Sequence, residues 1–178
     1  GDFLMVKKYA YQLKWPVWGG DIHTFSKPQR GDVIVFKYPV NQSFDFIKRV
    51  VAVGGDDVSY VDHQLIINGQ KMPQTLIKKL VEPNDSSTQR VEVYQEDLSG
   101  VKHLIYIEPW AQDPNFYHVK VPKGDVMVMG DNRNNSEDSR FWGFVPDNLI
   151  VGKAYRIWFS RNWTAHHFGV RWNRIGRL

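Results

Sequence analysis

The apolar residues of this chain come in runs too short for helices and spaced for strands. Val33-Ile34-Val35-Phe36-Lys37-Tyr38 lies between the turn Arg30-Gly31-Asp32 and Pro39, and Phe44 to Val53 ends at Gly54-Gly55-Asp56-Asp57. Leu65 to Met72 carries an Asn68-Gly69 pair, the signal of a tight hairpin. Val91-Tyr94, Lys102-Ile107, Val126-Met129 and Ile150-Ser160 complete the set. Each is rich in β-branched or aromatic residues and bounded by turn formers. Helical periodicity is scarce, so the expected class is mainly β. The length of 178 residues suits one domain, or one domain with a large insertion. Residues 58–122 read as a β-rich excursion serving as a lid, platform or partner surface, with no chemical constellation of its own. Residues 12–29 read as an irregular connection.

Two stretches suggest chemistry. Strict alternation along Phe44 to Val53 places Phe44, Phe46, Lys48, Val50 and Ala52 on one face, and Asp45, Ile47, Arg49, Val51 and Val53 on the other. Lys48 is then the one charge on an otherwise apolar face. The ordinary outcome is a lysine that snorkels to water past the core edge. The chemical alternative is a desolvated lysine whose pKa falls until its neutral amine can act as a base.

The second stretch runs from Gly130 to Gly143, Gly-Asp-Asn-Arg-Asn-Asn-Ser-Glu-Asp-Ser-Arg-Phe-Trp-Gly, directly after the apolar run Val126-Met129. It reads as a tight polar loop leaving a buried strand. Its short polar side chains and guanidinium groups suit internal hydrogen bonds and ion pairs. Met129 and Phe141-Trp142 should pin its ends to a core. A calcium loop fails on spacing, because the ligand position after Asp131 would fall on Arg133. The loop is therefore expected to position something.

Other classes are weaker. The chain has no Cys, its His residues are scattered without zinc spacing, and no Ser sits in a Gly-x-Ser-x-Gly elbow. No metal and no cofactor is expected. Arg30-Gly31-Asp32 is read as a strand-entry turn rather than an adhesion signal. The net charge is +4, and residues 161–178 hold four Arg and no carboxylate, a composition that could face phosphate. No run approaches the roughly 20 apolar residues that span a bilayer.

The stretch from Gly130 to Gly143 resembles the signature of the bacterial type I signal peptidases, also called leader peptidases. Arg30-Gly-Asp-Val-Ile-Val-Phe36 with Phe46-Ile-Lys-Arg-Val-Val51 resembles that family's lysine-bearing box. Gly1-Asp-Phe-Leu-Met-Val6 resembles the segment just after its nucleophile, and Gly169-Val-Arg-Trp-Asn-Arg-Ile-Gly176 is similar to an enterobacterial-type C-terminus. The resemblance implies a membrane-anchored serine endopeptidase that uses a Ser-Lys dyad to cut signal peptides after small residues. It further implies a partly closed β-barrel-like core of antiparallel sheets, residues 1–60 plus 123–178, with a smaller inserted β-rich subdomain at 61–122. Lys48 matches the general base and Ser136 the hydroxyl that orients it, while Asp138 and Arg140 match the ion pair behind that serine. Phe46 and Ile47 flank the base, and Leu4 and Val35 match positions lining the substrate groove. The implied partners are signal peptides of preproteins and a membrane surface, with no nucleic acid and a monomeric state. The implied site is the outer, periplasmic face of the bacterial inner membrane.

One departure matters. The family's nucleophile stands in a Ser-Met-x-Pro-Thr-Leu run before the segment that matches Gly1-Asp2, and no Ser here is followed by Met and then Pro. The nucleophile, the oxyanion hole and the anchor are thus expected upstream, and this polypeptide alone is expected to be inactive. Gly54, where the family usually has Pro, is a lesser departure. The alternative is a catalytically dead β-rich module that binds a peptide strand or a membrane surface through a sheet edge. Trp15, Trp18 and Trp163 are candidates for such a surface. A self-cleaving repressor-type Ser-Lys peptidase is the third reading.

Overall fold

The computed structural model describes residues 2–7, 12–14, 21–24, 26–82, 89–164, 167–170 and 176–177, with side chains described within 5–7, 26–80 and 90–155. The strands in chain order begin with β1 (Asp2–Lys7), β2 (Gln12–Lys14), β3 (Asp21–Thr24), β4 (Val33–Lys37), β5 (Asp45–Val53) and β6 (Asp57–Val61). There follow β7 (Gln64–Ile67), β8 (Gln70–Lys71), β9 (Gln74–Glu82), β10 (Gln89–Leu98), β11 (Val101–Ile107) and β12 (Phe116–Lys120). The chain continues through β13 (Asp125–Met129), a helical turn α1 (Ser139–Trp142), β14 (Val145–Pro146), β15 (Ile150–Thr164), β16 (His167–Val170) and β17 (Gly176–Arg177). The named strand pairs are all antiparallel. The chain is mainly β, as its alternation implies.

The main sheet has the order β1-β15-β4-β5-β13-β14, with β16 and β17 also pairing to β15. It curls around its own side chains. Ile34, Phe36, Val50, Val126, Val128, Val145 and Ile150 form one buried cluster, and all of them belong to strands of this sheet. A sheet that meets itself across a shared core is barrel-like, and this one stays open because β1 and β14 are its two ends. The fully buried Ile34 and Phe36 each contribute about 1.5–3 kcal/mol of hydrophobic stabilisation. A second core covers the outer face. There Val51, Ala52, Met127 and Met129 pack against Val58, Tyr60, Leu65 and Ile67 of β6 and β7.

The alternation expected along β5 fails at one point. Met127 pairs with Ala52 but Val128 pairs with Val50, so Val51 is the extra residue of a bulge. Past the bulge the faces exchange. Val51 and Ala52 both enter the outer core, while Val53 packs on the inner one. Lys48 precedes the bulge and keeps the inner-face position of Phe46 and Val50.

Beyond the main sheet lie a four-stranded sheet, β12-β6-β7-β8, a three-stranded sheet, β11-β10-β9, and the antiparallel pair β2-β3, which lies within the stretch 12–29 expected to be irregular. The β7–β8 turn falls on Asn68 and Gly69, both at positive φ (52° and 78°), the geometry that an Asn-Gly pair favours. The Arg30-Gly31-Asp32 segment is a turn whose charges are used internally. Arg30 pairs with Asp56, and Lys153 with Asp32. No helix among the described residues is long and apolar enough to cross a membrane.

Candidate active site

Lys48 and the loop after β13 meet at the same end of the main sheet. The β5–β13 register pairs Met129 with Arg49, which brings the next residue, Gly130, beside Lys48. Lys48 Nζ donates to Ser136 Oγ at 2.8 Å. Ser136 also helps to hold the Asp138 carboxylate in its ionised form. Asp138 accepts Arg140 Nε at 2.8 Å and Nη2 at 2.9 Å, a bidentate pair, and takes the Gly130 amide at 2.9 Å. The structure therefore joins Lys48, Ser136, Asp138 and Arg140 in one chain of contacts.

The loop's sequence explains its shape. Asp138 is the N-cap of α1 and accepts the Arg140 amide, so the last residues form a helical turn rather than the open loop expected. Trp142 packs on the inner core, whereas Phe141 is 62% exposed, so only one of the two aromatics pins this end. Gly130 is required by space. A Cβ there would lie 2.2 Å from Ser136 Oγ and 3.6 Å from Lys48 Nζ.

Burial dominates the proton affinity of Lys48 and lowers it from the ordinary lysine range. Asp138 opposes that shift, Arg140 adds to it, and Glu137 and Asp131 oppose it more weakly. The Phe46 ring supplies part of the apolar surroundings, with its centroid 5.9 Å from Nζ. Phe46 is held by stacking on Tyr38 at 4.4 Å and by an edge contact with Phe36. Burial alone would raise the pKa of Asp138, but the Arg140, Gly130 and Ser136 hydrogen bonds hold it below the usual carboxylate range.

The remaining sequence candidates separate. Val35 and Ile47 are cross-strand partners, one residue out of step with Lys48, and so lie on the opposite face of β4–β5 from it and Phe46. Val35 is buried, and Ile47 is 45% exposed. Leu4 pairs through its backbone with Ile157, but its side chain is outside those described, as are Trp15, Trp18, Trp163 and the Arg residues of 161–178. A cleft of about 350 Å³ opens at the other end of β5 and β13, beside Val53, Gly124 and Asp147, and contains none of these candidates.

The excursion proves richer than its sequence suggested. Arg140 Nη1 donates to Asp113 at 2.9 Å, and so does the Tyr60 hydroxyl. Arg133, only 1% exposed, pairs through both terminal nitrogens with Glu96, which is fully buried. His103 lies 3.3 Å from Glu96. Arg49 Nε and Nη2 bind Asp131, each at 2.8 Å, and Nη1 donates to the Gly31 carbonyl. Burial opposes ionisation of Glu96, but Arg133 and His103 outweigh it and hold its carboxyl at about 2. The loop is thus fastened from the excursion by Asp113 and Glu96. The period-two position of Glu96 inside β10 was a possible signal, since a strand carboxylate on a buried face needs a partner. Asp113 offered none.

Comparison with known proteins completes the picture. Residues 1–159 match the family model described as "Signal peptidase, peptidase S26". A signal peptidase I of Pseudomonas fluorescens is 42% identical over 173 residues, covering 90% of this chain and 59% of the relative. That of Buchnera aphidicola subsp. Acyrthosiphon pisum is 32% identical, covering all of this chain and 69% of the relative. A crystal structure of a signal peptidase I from Enterococcus faecalis V583 shares 29% identity with a TM-score of 0.43, over 73% of this chain and 98% of that one. The chain belongs to the signal peptidase S26 family. It spans 59% of the length of the Pseudomonas fluorescens relative.

Proposed function

We propose that this chain is the catalytic portion of a signal peptidase I, a serine endopeptidase that removes signal peptides from exported preproteins through a Ser-Lys dyad. The observation that carries the reading is Lys48, half-buried, lowered in pKa, and held at 2.8 Å by a hydroxyl on the same loop as a buried ion pair. In this reading the neutral Lys48 amine takes the proton of a serine hydroxyl as that oxygen attacks the scissile carbonyl. The lysine then gives the proton to the departing amine. After the acyl-enzyme forms, the amine takes a proton from the water that releases it. Ser136 keeps the amine aimed, and Asp138 with Arg140 keeps Ser136 in place.

The attacking serine, with its oxyanion donors, is assigned to residues outside these 178, since none of the serines here stands in Ser-Met-x-Pro. By itself the chain would not cleave. In this reading Phe46 stands beside the base, Leu4 lines the substrate groove, and Val35 and Ile47, on the other face of β4–β5, contribute to the groove from that side, with shallow pockets suited to Ala. The protein works as a monomer at the outer face of the bacterial inner membrane. Exposed Val40, Phe44 and Phe141 support contact with that membrane. The domain division 1–60 plus 123–178, with 61–122 inserted, is part of the same proposal.

The test is cleavage of a signal-peptide substrate by the full-length protein, including everything upstream of Gly1. Wild type should cut after a small residue, and Lys48→Ala should lose roughly 10²–10⁴-fold with its fold intact by circular dichroism. No cleavage by full-length wild type would sink the peptidase reading and favour a peptide-binding module.

A further inference from the structure

Asp113 lies on the loop between β11 and β12, and its side chain is 4% exposed. Its Oδ2 accepts from Arg140 Nη1 and the Tyr60 hydroxyl, each at 2.9 Å, and lies 3.2 Å from His63 Nδ1. Arg140 is already matched in charge by Asp138, through Nε and Nη2. A second buried carboxylate on the same guanidinium is an expensive way to fasten a loop, because the guanidinium charge it meets is already shared with Asp138. What it adds is direction. Asp138 holds one edge of the guanidinium, the Arg133 carbonyl accepts from Nη2, and Asp113 holds Nη1. The Tyr60 ring lies 5.4 Å from the guanidinium carbon and closes one side.

We infer that Asp113 is a positioning residue for the Lys48–Ser136 pair, acting through Arg140 and Asp138. With Nη1 anchored, the guanidinium cannot slide along the edge of Asp138. The Asp138 carboxylate then keeps its hold on the Gly130 amide, Gly130 stays packed against the Ser136 side chain, and Ser136 Oγ keeps its place under Nζ. The role in catalysis rests on the peptidase reading above. The positioning of Lys48 does not.

The experiment has two readouts. In this chain, labelled with 13C at lysine Cε, the Lys48 signal is assigned by its absence in Lys48→Met and titrated in Asp113→Asn and Asp113→Glu. The groups that set this titration are Asp138, Arg140, Glu137 and Asp131. Asp113→Asn should move the Lys48 titration to lower pH, because one negative charge leaves the cluster and Ser136 loosens as an acceptor. Asp113→Glu should restore it most of the way, and other lysines should not move. In the full-length protein Asp113→Asn should lower kcat roughly ten- to a hundred-fold, the scale of a small misplacement at a reacting group, with KM nearly unchanged. If Asn does not fold, Tyr60→Phe removes one donor from Asp113 and should give a smaller shift of the same sign. A Lys48 titration unmoved in a folded variant overturns the inference, whatever happens to stability. Absence of cleavage by full-length wild type overturns the peptidase reading instead, and the titration still decides on Asp113.

Discussion

Lys48 and Arg133 are both withdrawn from water around the loop from Gly130 to Gly143, yet their proton affinities move in opposite directions. Arg133 is almost wholly buried, but two nitrogens meet the Glu96 carboxylate, and its pKa rises despite the burial. Lys48 is less buried, and its hydrogen bond goes to the neutral Ser136 hydroxyl. The carboxylate that acts on it most strongly, Asp138, is shared with Arg140, so burial prevails and the pKa falls. Desolvation is common to both sites. The direct counter-ion decides which cation is a fastener and which can exchange a proton.

The sharpest way to break this comparison is to remove the counter-ion. Glu96→Gln leaves Arg133 charged and unpaired in the interior, and should cost about 3–5 kcal/mol in urea unfolding. Replacing the pair by Glu96→Leu with Arg133→Met should recover most of that loss, since both desolvation penalties disappear. Equal losses in single and double variants would contradict the pairing argument. The same pair sets an acid limit. Because folding depresses the Glu96 carboxyl to about 2, its stabilisation is fully present above the unfolded value near 4.5 and is lost as pH falls towards 2. The urea midpoint of wild type should therefore drop between pH 5 and 2 more steeply than that of the double variant.

Next in size is Gly130→Ala. The new Cβ has no room beside Ser136, so the hydroxyl must leave Lys48. Full-length activity should fall on the order of 100-fold, with a stability loss of about 1–3 kcal/mol from overpacking. Ser136→Ala removes the hydroxyl without adding bulk, and should lower kcat about tenfold or more with little change in KM. The smallest effect is expected from Phe46→Ala. In the proposed mechanism the Lys48 base must be neutral to work, so activity should rise with pH through its pKa. Admitting water beside Nζ should raise that pKa and move the acid limb of the pH–rate profile upward, towards the ordinary lysine range. A limb that stays put or moves down would show that burial by Phe46 is not what lowers it.

How much of this was legible beforehand varies by element. The hairpin at Asn68-Gly69, the strands at Val33 and Val126 and the polar loop that follows the second of them stem from local rules. Turn residues and period-two alternation act over a few residues, so the sequence displays them directly. The isolation of Lys48 among Phe46 and Val50 was legible for the same reason, because it lies before the bulge. The exchange of faces at Val51 was not, since a bulge is a relation between two strands rather than a property of one.

By itself, then, the sequence determined the mainly β class, the apolar face that carries Lys48 and the loop that supplies Ser136, Asp138 and Arg140. It left the excursion looking chemically empty. Only the tertiary structure brought Glu96 to Arg133 and Asp113 to Arg140, and only it put Gly130 where no side chain fits. The reason is that a charge's partner in the interior is chosen by packing across the whole fold. Distance along the chain sets turns and alternation, whereas distance through the core sets which carboxylate meets which cation.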